Sequence, residues 1–187
     1  NVQRIGVNNP GVKIGENYTD FGQGSFRVTG NTYDLALSGD GFFAVEYTNS
    51  AGETDTKYTR SGSFTLDVEG YLVTKDGHYV LGTNSQPIQL DTLADAHIDE
   101  LGNITQNDKI IAQIQVVDFE DYDYLMKYGD TFYQSKEGAK MIEGNAKINS
   151  GYLEMSNVQV VTEMVNMISV TRAYETNQKI MQTYDSS

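Results

Sequence analysis

Two hydrophobic rhythms divide this chain. From residue 34 to about residue 132, short runs of aliphatic, aromatic and β-branched residues alternate with breaks rich in glycine and aspartate. Such spacing predicts successive antiparallel hairpins, with strands at 35–37, 42–47, 57–59, 63–67, 71–74, 79–81, 88–89, 112–119 and 131–134. Val68-Glu69-Gly70 and Lys75-Asp76-Gly77 read as turns between them. The first thirty or so residues lack any period and are broken by Asn8-Asn9-Pro10-Gly11, Gly15, Gly22 and Gly24, which predicts an extended lead-in over 1–33.

After Gly151 the period changes. The run LEMSNVQVVTEMVNMISVTRAYETNQKIMQTYD holds no glycine or proline, and Ser156-Asn157-Val158-Gln159 has the form of a capping box with Ser156 as N-cap. Met167, Val170, Tyr174, Asn177, Met181 and Tyr184 recur at alternating steps of three and four, a coiled-coil seam. Val158, Val161, Val165 and Ile168 widen it in the first turns. The expected organisation is therefore an extended segment at 1–33, a β-rich domain at 34–152 and one long C-terminal α-helix at 153–187, a mainly β fold class.

That helix carries the first functional expectation. About 28 residues at roughly 1.5 Å rise give a rod on the order of 40 Å, longer than a β domain of this size readily covers. Each large apolar seam residue gains roughly 1.5–3 kcal/mol on burial, whereas a lone helix in water is marginal. No second long helical pattern receives the seam, so the C-terminal end is built for association.

Composition narrows the partner. There are 26 acidic against 13 basic residues, a formal net charge of −13, which disfavours nucleic acid and anionic membrane surfaces. With no cysteine, disulfides and thiolate chemistry are out. No apolar run reaches the length of a membrane span, so no membrane insertion is expected. Thirteen tyrosines and seven phenylalanines, with no tryptophan and two prolines, favour strands.

Candidate chemistry is thin. Gly39-Asp40-Gly41-Phe42-Phe43-Ala44 matches the dinucleotide fingerprint G-x-G-x-x-G/A, but the residues after Gly41 have a strand pattern rather than a helical one. Asp40 also puts a carboxylate where pyrophosphate would lie. A two-glycine turn or bulge is the reading. The acidic run 118–123 lacks the glycine and late glutamate of a calcium loop and reads as a solvated loop at a strand end. His78 fits a hairpin turn and His97 a loop, without a nucleophile or metal partner. Tyr58, Tyr71 and Tyr79 are read as cross-strand aromatic pairs in preference to a sugar platform. No catalytic, cofactor or metal site and no small-molecule substrate is expected.

Three stretches together resemble the flagellar rod and hook axial protein family. TDFGQGSFRVTGNTYDLALSGDGFFAVE, residues 19–46, is similar to that family's signature, in which T-G-N precedes D-L-A-x-x-G-x-G-F-F. YTRSGSFTLDVEGYLVTKDGHYVLG, residues 58–82, resembles its next motif, and residues 150–185 resemble its C-terminal helix, with S-N-V, E-M-V-N-M-I and R-A-Y-E-x-N in register. The likeness is to the basal-body rod members, and it implies a non-enzymatic subunit exported by the flagellar type III apparatus to the basal body in the cell envelope. Copies of itself and other flagellar axial proteins are the implied partners, in a helical tube that carries torque.

In that family an N-terminal helix pairs with the C-terminal one in an inner coiled-coil layer, while the β domain forms an outer layer. No N-terminal helix pattern is present here, the chain starts at Asn1, and Ser186-Ser187 ends slightly short of the pattern. The expectation is of a trimmed piece whose pairing helix lies elsewhere. By resemblance, Val158, Val161, Met164, Val165, Met167, Ile168, Val170, Tyr174, Asn177 and Met181 make the inner-layer contacts. Asn177 sets register, Arg172 and Glu175 are candidates for inter-subunit ion pairs, and Gly30, Gly39, Gly41, Gly62 and Gly70 shape turns. The alternatives are a hook subunit, disfavoured by the compact β region, a secreted carbohydrate-binding β module, or a hydrolase.

Overall fold

Short strands satisfy their backbone groups by pairing, and the computed structural model shows antiparallel pairs throughout its described residues, 22–155. The strands are β1 Phe26–Val28, β2 Leu35–Ser38, β3 Phe42–Thr48, β4 Thr54–Thr59, β5 Phe64–Leu66, β6 Leu72–Thr74, β7 Tyr79–Val80 and β8 Ala96–Ile98. They continue with β9 Asn103–Gln106, β10 Lys109–Gln113, β11 Val116–Phe119, β12 Leu125–Tyr128, β13 Phe132–Ser135, β14 Met141–Glu143, β15 Lys147–Ser150 and β16 Tyr152–Glu154.

The β3–β4 hairpin organises the largest sheet. Beyond β4 lie β13 and then β12; beyond β3 lie β7, β6 and β5, and β11 also pairs with the start of β3. Strands β11 and β12 face β14 and β13 as the two arms of one long hairpin, interrupted by a 3-10 turn at Tyr122–Tyr124. Since one arm pairs with β3 and the other with β4, this hairpin flanks β3–β4 on both sides. Strands β8, β9 and β10 form a separate three-stranded sheet. Its two-residue β9–β10 turn is made by Asn107 and Asp108, both at positive φ, as a tight hairpin with native twist demands.

The two faces of β3 build two cores. Phe43 and Val45 point into the main one with Leu35, Leu37, Phe64, Leu72, Val80, Ile104 and Ile148. Phe42, on the other face, meets Phe119, Tyr122 and Tyr133 at centroid distances of 6.1, 5.6 and 5.6 Å, and Phe119 meets Tyr58 at 4.9 Å, edge-on. Buried polar groups are bonded. Gln106 donates to the Asp91 and Ala94 carbonyls and accepts from the Asp91 N–H, while Lys57 pairs with Asp55 and lies over the Tyr128 ring at 4.5 Å.

Several expectations are corrected. The run expected at 112–119 is two strands, because the chain turns at Ile114 and Gln115 to bond Gly82 and Leu81. Residues 88–89 form only a bridge, Gln89 to Tyr71. His97 lies in β8, not in a loop. The acidic run is only partly a solvated loop: Asp118 and Phe119 close β11, Phe119 is buried, and Asp121 caps the 3-10 turn by accepting from the Asp123 N–H. Strand β1 falls within the segment 1–33, and Leu153 and Glu154 are strand residues. Most of the expected C-terminal helix, from its cap at Ser156 onward, lies outside the described residues.

Phe43 is fully buried at the centre of the main core, so Phe43→Ala is expected to cost about 3–5 kcal/mol by urea unfolding. Val68, on an exposed turn, should tolerate alanine without measurable change.

Burial, then the 2.6 Å hydrogen bond to Asp118 and its charge, raise the Tyr122 phenol well above its ordinary value of 10.0. A raised folded-state value means that its stabilising contribution is full below the unfolded pKa near 10 and lost as the pH climbs from there toward the folded value. Alkaline unfolding should therefore steepen above about pH 10, and Tyr122→Phe should flatten that dependence.

Candidate functional site at the neck of the β domain

The chain enters and leaves the β body at one place. Strand β1 pairs with β16 in the register Phe26–Glu154, Arg27–Leu153 and Val28–Tyr152, and β2 pairs with β15 directly after it. Between β1 and β2 the Thr29-Gly30-Asn31 turn is fixed by Gly30 at φ 74° and by the Asn31 side chain, which accepts from the Tyr33 N–H. The Thr29 and Gly30 N–H groups both donate to the Gly151 carbonyl, and the Ser25 carbonyl accepts from the Met155 N–H.

Arg60, just after β4, locks this neck. Its Nε and Nη2 donate to the two carboxylate oxygens of Glu154 at 3.0 and 2.9 Å, a bidentate pair whose side chains are 19% and 9% exposed. Nη1 donates to the carbonyls of Gly39 and Gly41 at 2.7 and 2.9 Å, and Nη2 also reaches the Leu37 carbonyl at 3.2 Å. Each of the guanidinium's five N–H groups thus has an acceptor. Glu154 accepts further bonds from the Gly24 N–H at 2.8 Å and the Gln23 amide at 2.7 Å. The Gln23 oxygen in turn accepts from the Gly39 N–H at 3.0 Å. One cation and one carboxylate therefore tie together the incoming segment, the β2–β3 turn and the outgoing strand.

This arrangement decides the glycine motif. Gly39 and Gly41 have φ of 106° and 145°, and they turn their carbonyls toward a guanidinium. A phosphate loop must aim N–H groups at an anion, so this turn is built with the opposite polarity. Gly62 is not a positive-φ turn residue; its need for glycine is close approach, since a Cβ there would lie 1.7 Å from the Leu35 carbonyl oxygen. Gly70 has φ 92° in the turn before Tyr71.

The other candidates stay apart from the neck. The His78 ring stacks on Tyr47 at 4.1 Å and its Nδ1 accepts from the Thr48 N–H. Tyr71 and Tyr79 pack edge-on at 5.1 Å, and Tyr58 is buried, so these rings spend their faces on each other and on the core. Among the described residues no group of three histidine, aspartate or glutamate side chains gathers as a metal site. Val158, Val161, Met164, Val165, Met167, Ile168, Val170, Tyr174, Asn177, Met181, Arg172 and Glu175 lie outside the described residues. Sequence reasoning missed Gln23, Arg60 and Glu154. The first two stand inside the FGQG and YTR stretches, where Gln23 lies between two glycines and Arg60 two residues before one.

Two family models match the chain, one described as the flagellar hook protein FlgE/F/G D1 domain over residues 36–106, the other as the flagellar basal body rod FlgEFG protein C-terminal region over residues 149–187. The flagellar basal-body rod protein FlgF of Caulobacter vibrioides is 37% identical over 164 residues, spanning 87% of this chain and 65% of the relative. FlgG of Bacillus subtilis is 34% identical over 175 residues, 85% of this chain and 64% of the relative. FlgF of Mesorhizobium japonicum is 32% identical over 178 residues, 92% of this chain and 71% of the relative. This chain belongs to the flagellar basal-body rod protein family.

The rod-family chain spans roughly two thirds of the length of these relatives, 65% and 64% of the first two. Arg60 falls within the first matched region and Glu154 within the second, so the neck clamp joins the two parts that the family models describe separately.

Removing one partner of a largely buried pair leaves the other charge uncompensated. Arg60→Ala is therefore expected to lower stability by about 3 kcal/mol. Arg60→Lys should recover little of that, since an ammonium cannot span Glu154 and the glycine carbonyls at once. Urea unfolding gives the size, and amide exchange at Gly24 and Gly39 should rise before exchange in the main core.

Proposed function

We propose that this chain is a structural, non-enzymatic subunit of the bacterial flagellar rod, which polymerises into the axial tube that transmits torque across the cell envelope. Membership of the rod protein family supports this reading, and the observation that carries it is the neck. The first and last strands of the β body, β1 and β16, lie side by side, held by their ladder and by the Arg60–Glu154 pair. A subunit whose terminal segments pack into a shared inner layer needs such a rigid joint between that layer and its β domain.

In this reading residues 156–187 supply the cohesive element. Their heptad seam, Met167, Val170, Tyr174, Asn177 and Met181, packs on a helix from another segment or another subunit, with Asn177 fixing the register. Val158, Val161, Met164, Val165 and Ile168 extend the contact, and Arg172 and Glu175 lie on the flank as ion-pair candidates. The partners are copies of this chain and other flagellar axial proteins, and the site of action is the basal body.

The test compares this chain with a longer one carrying an upstream helical segment of a rod-family relative. The longer chain should sediment as oligomers or tubes. If it stays monomeric at high concentration with residues 156–187 unstructured by NMR, the proposal fails. Met167→Asp places a charge in the seam and should abolish association by sedimentation, while the β body keeps its unfolding midpoint within the error of the measurement.

A further inference from the structure

The β1–β16 ribbon carries apolar side chains that its own two strands do not bury. A sheet of two strands needs a third strand or a packed helix to be stable in water, and this one has a ladder of three residues. Residues directly opposite in an antiparallel pair share a face, so Phe26, Val28, Tyr152 and Glu154 lie on one side of it. Arg60 takes Glu154, while Phe26, Val28 and Tyr152 stay 37%, 72% and 39% exposed, with the Phe26 and Tyr152 rings 6.3 Å apart. Tyr152 also lines a groove of about 460 Å³ that reaches Ala96, His97 and Ile148. Patch and groove are thus one surface, joined at Tyr152.

The sequence supplies a segment of matching character soon after Met155. Val158, Val161, Val165 and Ile168 recur at i, i+3, i+7 and i+10. In the heptad of the proposed seam, with Met167 and Tyr174 at a and Val170 and Asn177 at d, these four take the b and f positions, on the side away from the seam. They therefore extend the contact toward a partner other than the helix on which the seam packs. Residues 156–171 hold a single charge, Glu163, in a chain of net charge −13, so this stretch can approach another copy with little repulsion. The stripe is about 15 Å long, enough to cross a ribbon about 10 Å wide and reach the groove.

We propose that the ribbon face formed by Phe26, Val28 and Tyr152 in one copy receives the apolar stripe of residues 158–168 from the next copy. This rests on the polymer reading above and names a second partner for its cohesive segment. Val161 and Val165, the middle of the stripe, sit over Val28 and the Tyr152 ring, in the helix-on-apolar-surface mode of recognition. Each copy then offers one ribbon and one stripe, two different surfaces. Contacts of that kind propagate from copy to copy as rings or helices instead of closing as a dimer.

The chain has no cysteine, which makes cross-linking clean. Full chains with the upstream helical segment, one carrying Val28→Cys and the other Val161→Cys or, separately, Val165→Cys, are assembled as mixtures and mildly oxidised. They should give disulfide-linked dimers containing one of each chain, and the double variant should give a ladder of multimers. Cross-links confined within single double-variant chains would assign the ribbon to its own chain's stripe, and dimers of the Val28→Cys chain alone would assign it to a second ribbon. Either result overturns the proposal. Val28→Asp should weaken association about tenfold without moving the unfolding midpoint of the β body, and unchanged association would count against the contact equally. Intact assembly without mixed dimers overturns this contact while the polymer reading stands. Absence of any sedimenting species in the unmodified assembly overturns both.

Discussion

The Arg60–Glu154 pair is the constraint on which the rest of the neck depends. Without Glu154, strand β16 would be held to β1 by a three-residue ladder, which is too short to be independently stable. Without Arg60, the Gly39 and Gly41 carbonyls would lose their donor, and the turn that aims Phe42 and Phe43 into two different cores would lose its anchor. Charge-assisted bonds at low exposure are strong because little water competes for them, and a fork with five donors suits one carboxylate and several carbonyls. The pair fixes a joint, and the two cores on either face of β3 make the body behind it stiff.

That joint makes β1 and β16 one hydrogen-bonded unit with the strands behind them. A load applied at β1 and β16 crosses to β2 and β15 and reaches Leu35, Leu37 and Ile148 in the main core. Backbone hydrogen bonds run across each of these steps. A neck made of flexible glycine linkers would let the β layer swing; here Gly24 and Gly62 serve close contact instead, since a Cβ at either would lie 1.7 Å from a neighbouring carbonyl oxygen.

The β character is legible in the sequence because alternation and turn chemistry are local. The runs at 35–37, 42–47, 71–74 and 79–81 are strands within a residue or so, and Gly30, Gly39, Gly41 and Gly70 are positive-φ residues. The features that escape are nonlocal. Strands β1, β14 and β16 are three residues each and owe their existence to partners far along the chain, so no window around them carries a period. The same holds for Arg60 and Glu154, which stand 94 residues apart and look like ordinary charges until the fold brings the end of β4 against β16. Gly62 must be glycine for a reason other than a turn, because a steric clash with Leu35 cannot be read from a turn pattern.

Charge sets the kind of association the β body can support. With 26 acidic and 13 basic residues, two copies repel at long range, and an ordinary apolar patch has to overcome that. A twofold antiparallel contact through β8 would bring Asp95 and Asp99, which flank the strand, toward the same acids of the other copy, each adding to the repulsion. Net negative charge thus weighs against association through the charged faces of the β body, so that in the reading proposed above cohesion falls to apolar segments rather than to charged ones.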